Sequence, residues 1–318
     1  MSRPTLEAPS GKWSKDENFP VASRLIAPRL RSHVVRFYGF ARTIDDIADS
    51  PDLAPEEKLT RLTAFEQALV NVGTNDPALI KATALRQSLE ITGIPVDHAQ
   101  DLIVAFKQDA VKQRYDDWDD LMIYCRYSAE PVGRFLLDLH GEDRSLWPFS
   151  DALCTALQVI NHLQDCADDY RKLDRVYLPQ DWFDREGESV TALDQPQSSP
   201  HLRRVFDRCL TGVTMLLRPA AELPLRLKDR RLALESAAIL SLAQALTERL
   251  YRRDPLAKGV TLSKSAKAVI AAGGTLGTAL HRWRGPKRLP GDTMANHPQT
   301  RSPQTQSEAT ATPTEAPT

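Results

Sequence analysis

Two pairs of aspartates, each four residues apart, stand inside apolar stretches of this 318-residue chain. The first pair is Asp45 and Asp49; the second is Asp165 and Asp169, and Asn161 precedes it by another four residues. Helical residues four apart lie about 5–6 Å from each other, so each pair sets two like charges beside a buried face. Carboxylate oxygens suit Mg²⁺, which binds a few carboxylates together with waters and substrate phosphates. If the two helices face each other, the four carboxylates line one cavity that holds a diphosphate through Mg²⁺.

Basic side chains follow the second pair. Arg171, Lys172 and Arg175 come within one or two turns of Asp169. They suit a polyanionic ligand, because an arginine guanidinium forks the oxygens of a phosphate. The same charges also fit ordinary compensation at a helix C-terminus, and the sequence leaves both interpretations open.

Two further aspartate pairs have the same spacing and serve as internal controls. Asp97–Asp101 and Asp116–Asp120 stand at predicted helix starts, where acids accept from free N–H groups and complement the helix dipole. We therefore predict a structural role for these pairs.

The composition favours an all-α protein. Hydrophobic residues make up 42% of the chain, only 14 glycines occur, and strand-like alternation is scarce. Helix-forming stretches are separated by Pro- and Gly-containing breaks. The predicted helices are 31–49, 55–72, 76–92, 96–113, 117–140, 151–172, 201–227, 229–252 and 263–283. We predict one all-α domain over residues 15–285, a flexible segment 1–14 and a disordered Pro/Thr/Gln-rich tail 286–318.

The charge balance excludes a general nucleic-acid binder. With 41 basic and 42 acidic side chains the net charge is −1, whereas phosphate-backbone contacts need a clear basic excess. The first residues carry no apolar signal-peptide core, and the four cysteines form no CxxC pair. These features predict a cytoplasmic protein with reduced thiols.

Four stretches together resemble the squalene/phytoene synthases, head-to-head prenyl transferases of the all-α isoprenoid synthase fold, in which helices surround a central cavity. They are YGFARTIDDIAD (38–49), YCRYSAEPVG (124–133), NHLQDCADDYR (161–171) and RVYLP (175–179). The resemblance covers about residues 15–285. His162 and Asp174 depart from it, since apolar or small residues are common at these two positions.

The resemblance implies a role for each matching residue. The residues that would hold Mg²⁺ are Asp45, Asp49, Asn161, Asp165 and Asp169. Those that would contact the diphosphate are Arg42, Arg171 and Arg175, with Asn161 in support. Those that would line the reaction chamber, with ring faces that stabilise a carbocation, are Tyr38, Tyr124 and Tyr177.

Within the family, the opening ENFPVAS (17–23) resembles the hopanoid-pathway member that converts presqualene diphosphate and water to hydroxysqualene and diphosphate. The alternative is condensation of two farnesyl diphosphates to presqualene diphosphate, squalene or dehydrosqualene. A further alternative is a non-catalytic lipid-binding or assembly protein, which would have no need of four paired aspartates. Other enzymes of squalene and hopanoid synthesis are the expected partners besides the isoprenoid diphosphate substrate.

The C-terminal stretch is basic. From Arg249 to Arg288 the only acidic residue is Asp254, and the apolar run 269–280 lies within the stretch. One interpretation is a helix that rests on an anionic membrane at its cytoplasmic face. The other is a core helix with a solvated basic face.

Overall fold

The computed structural model describes residues 25–71, 76–257 and 259–284. These residues contain twelve α-helices and no strand, which confirms the all-α prediction. The helices are α1 (Pro28–Asp49), α2 (Pro55–Val70), α3 (Ile80–Thr92), α4 (Asp97–Asp109), α5 (Trp118–Ser128), α6 (Glu130–Leu139), α7 (Trp147–Leu173), α8 (Gln180–Glu186), α9 (Pro200–Ala220), α10 (Leu223–Arg226), α11 (Arg230–Arg252) and α12 (Lys264–Arg284). The predicted segment 1–14, the motif 17–23 and the tail 286–318 lie outside the described residues.

Several predicted helix boundaries were wrong, and prolines account for two of them. The single helix predicted over 117–140 is broken at Ala129, where φ is −121° and Pro131 stands in the first turn of α6. The helix predicted over 201–227 ends at Ala220, and Pro224 stands in the first turn of α10. A proline lacks the N–H that a continuous helix needs and crowds the preceding turn. The short helix α8 was not predicted at all.

The core consists of two clusters of buried apolar side chains. One is formed mainly by α1–α4, and the other by α5 and α7–α11 with the loops that join them. In the first cluster, Phe37 of α1 stacks on Phe135 of α6 with ring centroids 4.0 Å apart. This packing fixes the apolar face of α1 and leaves the flank that carries Asp45 and Asp49 beside the core, as the periodicity predicted.

A short parallel contact joins the ends of α4 and α7. The predicted helix 96–113 ends at Asp109, and the chain beyond it runs beside the segment that follows α7. The Val176 N–H donates to the Gln113 carbonyl at 2.9 Å, and the Gln180 N–H donates to the Tyr115 carbonyl at 2.8 Å. These bonds set the loop after α7 against the C-terminal end of α4.

Asp174 makes the turn that allows this contact. It follows α7 in the left-handed conformation, with φ of 48°. Aspartate tolerates this conformation better than most non-glycine residues. Arg114 also holds it, donating from Nη2 to Asp174 Oδ1 at 2.5 Å. Asp174 therefore shapes the loop that delivers Arg175 to the site.

Candidate active site

The first aspartate pair lies on the last two turns of α1. Arg42 contacts Asp45 at 2.8 Å and Asp46 at 2.7 Å, so its guanidinium is shared between two acids of its own helix. Burial, followed by repulsion from Asp49, raises the pKa of Asp45 well above its ordinary value, although Arg42 lowers it. The pair therefore carries an electrostatic strain that a bound cation would relieve.

The second pair lies on α7, with Asp165 exposed and Asp169 partly buried. Burial, the charge of Asp165 and the charge of Asp49 together raise the pKa of Asp169 to about 8. Because the charge of Asp49 acts on Asp169, the two pairs lie near each other, which is the condition that the sequence analysis set for a shared site. Asn161 lies one turn before Asp165 on the same helix, and Tyr38 lies half-buried one turn before Arg42.

This donor set fits Mg²⁺ shared with a ligand. In the described part of the chain, no three His, Cys, Asp or Glu side chains are grouped so that they alone could hold a metal ion. Mg²⁺ generally uses one or two carboxylates and takes its remaining ligands from waters and substrate phosphates. Two carboxylate pairs, in which burial and like charge raise the pKa of Asp45 and of Asp169, are suited to that kind of site.

Arg175 joins the two helices. It is buried, and its Nη1 donates to Asp49 Oδ1 at 2.8 Å and to the Tyr177 hydroxyl at 3.0 Å. Its Nη2 donates to the backbone carbonyl of Asp109 at 2.8 Å. The structure thus brings Arg175, which follows the second aspartate pair in the sequence, to the first pair and holds its guanidinium with three hydrogen bonds.

Arg171 takes a different position. Its side chain is 44% exposed, and it pairs with Asp194 at 2.6 Å. It nevertheless lines the same cleft as Arg175. That cleft has a volume of about 360 Å³, and the ionic side chains that line it are Lys58, Asp109, Arg171, Lys172, Asp174 and Arg175. A second cleft of about 430 Å³ beside residues 188–199 contains none of the predicted site residues.

Lys58 was missed by the sequence analysis. It lies on the first turn of α2, and its Nζ donates to the Ala48 carbonyl at 2.8 Å, next to Asp49. Burial, followed by the charge of Arg175, lowers its pKa. The sequence pattern around Lys58 gave no signal, because a lysine in the first turn of a surface helix is common and matches no functional motif.

Asp109 was also missed, and it is the most buried carboxylate of the site. It is 2% exposed and accepts from the Tyr124 hydroxyl at 2.6 Å and from the Tyr177 hydroxyl at 3.0 Å. Burial raises its pKa to about 6, although Arg175 and the two tyrosine hydroxyls lower it. A lone aspartate near the end of a predicted helix matches no motif, so only the fold reveals it.

The tyrosines form one aromatic cluster. The buried ring of Tyr115 stands 5.3 Å from that of Tyr124 and 5.3 Å from that of Tyr177. Burial and the charge of Asp109 raise the pKa values of Tyr124 and Tyr177 well above the ordinary tyrosine value. Both hydroxyls therefore stay protonated and donate to Asp109, and Tyr124 and Tyr177 come together as predicted.

His162, noted as a departure from the family pattern, packs against this cluster. Its ring stacks on Tyr177 with centroids 3.6 Å apart and planes 19° apart. Burial, and then the charge of Arg175, lowers its pKa to about 3, so the ring is neutral.

The control pairs lie at or near the starts of α4 and α5, as predicted, but neither pair caps its helix: Val96 precedes α4 without a side-chain cap bond, and Asp117 caps α5. Asp97 lies in the first turn of α4. Asp120 lies in the first turn of α5, accepts from the Asp116 N–H at 2.9 Å and pairs with Lys112 at 2.6 Å. Aspartate pairs with the same four-residue spacing therefore occupy different environments in the control positions and in the site.

The described residues have the all-α isoprenoid synthase fold, and two of its helices carry the aspartate pairs. Residues 14–266 match the family model for squalene/phytoene synthase, and the chain belongs to this family.

Relatives within the family include two curated hydroxysqualene synthases. That of Rhodopseudomonas palustris is 45% identical over 87% of this chain and 93% of its own length. That of Zymomonas mobilis is 43% identical over 84% of this chain and 91% of its own length. The crystal structure of the squalene synthase HpnC from Alicyclobacillus acidocaldarius superimposes with a TM-score of 0.65 at 30% identity, covering 73% of this chain and 87% of that one.

Proposed function

We propose that this protein converts presqualene diphosphate and water to hydroxysqualene and diphosphate in a Mg²⁺-dependent reaction. The observation that carries the proposal is the joint site of Asp45, Asp49, Asp165 and Asp169 beside Arg175, in a chain whose relatives at 45% and 43% identity are named hydroxysqualene synthases.

The reaction begins with the loss of diphosphate. The C–O bond of the substrate breaks and the electron pair leaves with the diphosphate, which produces a cyclopropylcarbinyl cation. The cation rearranges, a water oxygen forms the new C–O bond, and the diphosphate takes the proton that this water releases. When bound to the four aspartates and Asn161, Mg²⁺ supplies the positive charge that stabilises the leaving diphosphate.

The chain's own residues hold the two ends of the substrate. Arg175 stands fixed beside Asp49, and Lys58 and Arg171 line the same cleft, so they supply cations for the phosphate oxygens. The faces of Tyr124 and Tyr177 stabilise positive charge by their quadrupoles without forming a bond to it. Because both hydroxyls donate to Asp109, they are held away from the cation.

Product analysis tests this function. Purified protein is given Mg²⁺ and either presqualene diphosphate or farnesyl diphosphate in separate tubes, without NADPH. The proposal predicts hydroxysqualene from presqualene diphosphate alone, and EDTA should abolish it. A C30 product from farnesyl diphosphate would assign the protein to the condensing enzymes, and inactivity in both tubes would favour the non-enzymatic alternative.

We also propose that α12 rests on an anionic membrane, from which this lipid substrate is exchanged. Four large apolar side chains share its outer face: Val269 is 72% exposed, Leu276 62%, Leu280 41% and Trp283 84%. Successive spacings of seven, four and three residues keep them within one narrow arc of the helix. No acidic residue occurs between Asp254 and Gly291, so the flanking charges are basic. Among the described residues, no helix is both long and apolar enough to cross a bilayer.

The inner side of α12 packs on the protein. Arg282 Nη1 donates to the Pro224 carbonyl at 2.9 Å and to the Leu227 carbonyl at 2.7 Å. A Cβ at Gly274 would collide with Ser241 of α11. Arg282 therefore stabilises the helix's attachment, and a test of membrane binding should leave it in place.

The membrane test changes only the outer face. Leu276→Ser with Trp283→Ser should abolish flotation with vesicles that contain phosphatidylglycerol. The control is Ile91→Ser on α3, whose exposure of 72% lies between those of Leu276 and Trp283, and it should leave flotation unchanged. Flotation that persists in the double variant would contradict the proposal. A dimer that the double variant dissociates, without any flotation, would instead show that the face binds a second copy.

A further inference from the structure

His162 is a buried polar side chain that lies against the proposed carbocation-stabilising rings. It is 7% exposed, and besides stacking on Tyr177 its ring centroid lies 5.9 Å from that of Tyr124. Asp169 is seven residues further along α7, which is about two turns and 10 Å along the axis on nearly the same face. His162 therefore lies beside the aromatic cluster, about two turns of α7 before Asp169.

The Nε2 atom of this ring has no hydrogen-bond partner among the described residues, although it is shielded from solvent. Buried polar atoms in folded proteins are normally hydrogen-bonded to protein or to an ordered water. A second buried histidine, His98, follows that rule, since its Nε2 lies 3.0 Å from Asp138 Oδ2. His162 thus offers a polar atom for which the described part of the protein provides no partner.

The neighbouring hydroxyls do not supply an equivalent group. Tyr124 and Tyr177 both direct their O–H groups to Asp109, and the ring of Tyr177 stacks directly on that of His162. An imidazole nitrogen can accept a hydrogen bond from water and leave an oxygen lone pair free to react. His162 therefore combines burial, contact with the aromatic cluster and an unused acceptor.

We infer that His162 is the catalytic residue that holds, through Nε2, the water molecule that captures the rearranged carbocation. This inference rests on the proposed function and names the group that determines its product. The water oxygen donates an electron pair to the cationic carbon and forms the C–O bond. The proton that the new oxonium loses passes first to Nε2, which accepts its hydrogen bond, and then to the diphosphate as the products leave, so the imidazole ends the turnover neutral.

The test separates ionisation of the substrate from capture by water. His162→Phe keeps a flat ring against Tyr177 and removes both nitrogens. With presqualene diphosphate and Mg²⁺, diphosphate release should stay within about threefold of wild type, and the hydroxysqualene share of the C30 products should fall at least about tenfold. Hydrocarbons formed by proton loss from the cation should replace it. His162→Gln, which keeps a hydrogen-bonding group, should recover part of the alcohol.

A matched control is His98→Phe, which removes a buried histidine remote from the aromatic cluster; its partner Asp138 keeps Arg144 at 2.9 Å. This variant should lower thermal stability and leave the product ratio unchanged. Circular dichroism establishes that each variant is folded, and His162→Leu replaces the phenylalanine variant if that one does not fold.

Three results would overturn the assignment. An unchanged product ratio in a folded His162→Phe chain would show that another group holds the water. Loss of diphosphate release in a variant that still binds substrate would place His162 in ionisation instead. A wild-type chain that makes no hydroxysqualene would contradict the proposed function itself, which distinguishes that failure from the failure of His162 alone.

Discussion

Arg175 and Asp49 are 126 residues apart in the chain, and their side chains meet at 2.8 Å. The same guanidinium donates to the Tyr177 hydroxyl and to the Asp109 carbonyl. One buried cation therefore connects the end of α1, the end of α4 and the loop after α7. This connection holds the first aspartate pair beside the aromatic cluster.

Replacing Arg175 should disturb both catalysis and stability. In Arg175→Lys the point charge remains, but the planar group that reaches three partners is lost. We expect turnover to fall at least about tenfold and the melting temperature to fall by several degrees, because the carboxylate of Asp109 stays buried beside a weaker partner. Arg171→Lys is the control, since an exposed ion pair contributes only about 0–1 kcal/mol. Equal melting temperatures for the two variants would contradict this role of Arg175.

The aspartate pairs should be essential for turnover and dispensable for folding. Asp45→Ala or Asp165→Ala should reduce diphosphate release to background while the far-ultraviolet circular dichroism stays largely unchanged. Asp97→Ala removes an aspartate of the same spacing from the first turn of α4 and should retain most activity. Activity retained in either site variant would refute the proposed diphosphate site.

The free energy of unfolding of the metal-free protein should decrease as the pH rises through the range in which Asp169 ionises. Its pKa is raised from 3.8 to about 8, so the folded state holds a proton that the unfolded state has already lost. Stability contributed by that proton is present at low pH and is lost as the pH rises through about 8. The pKa of His162 is lowered from 6.5 to about 3, so this residue makes stability rise with pH, but only below about pH 6.5. The informative window therefore runs from about pH 6.5 to about pH 8.5.

Thermal melts in EDTA across this window should show a falling melting temperature. The slope of melting temperature against pH should be smaller in Asp169→Asn, because the amide does not ionise. It should also be smaller in wild type with Mg²⁺, because a bound cation favours the carboxylate. Slopes that are identical in all three samples would contradict a strained carboxylate site.

Asp109 should act by positioning the two tyrosines. The amide introduced by Asp109→Asn carries no charge and has a single oxygen to accept from two hydroxyls, so this variant should lower kcat by about tenfold and change KM much less. In wild type, kcat/KM should fall as the pH drops through about 6, where Asp109 takes up a proton and loses acceptor capacity. That acidic limb should be absent from Asp109→Asn. An unchanged limb in the variant would assign the pKa to another group.

Much of the fold and part of the site could be predicted from the sequence. The periodicity of α1 and α7 was sufficient to place Asp45, Asp49, Asp165 and Asp169 on flanks of apolar faces, because those faces follow the helical repeat. The breaks at Ala129 and after Ala220 were not predicted, since a proline in the first turn of a new helix resembles one inside a continuous helix until the packing is known.

The residues that were missed share one physical property. Asp109, Tyr115 and Lys58 contact the site only because the chain after α4 runs beside the loop after α7 and α2 turns back toward Asp49. Contacts of this kind depend on tertiary packing and leave no local pattern. Arg171 shows the converse, since its position beside the aspartates in the sequence did not reveal that it pairs with Asp194.

The central claim is that the reaction ends with capture of a carbocation by water, and the source of the product oxygen tests it most directly. Presqualene diphosphate should be turned over with Mg²⁺ in water enriched in oxygen-18, and the C30 products analysed by mass spectrometry. We predict hydroxysqualene that carries one heavy oxygen in proportion to the enrichment. Hydroxysqualene without the label would show that the substrate's own oxygen is retained, and a hydrocarbon as the sole product would show that water does not react; either result would contradict the proposed mechanism.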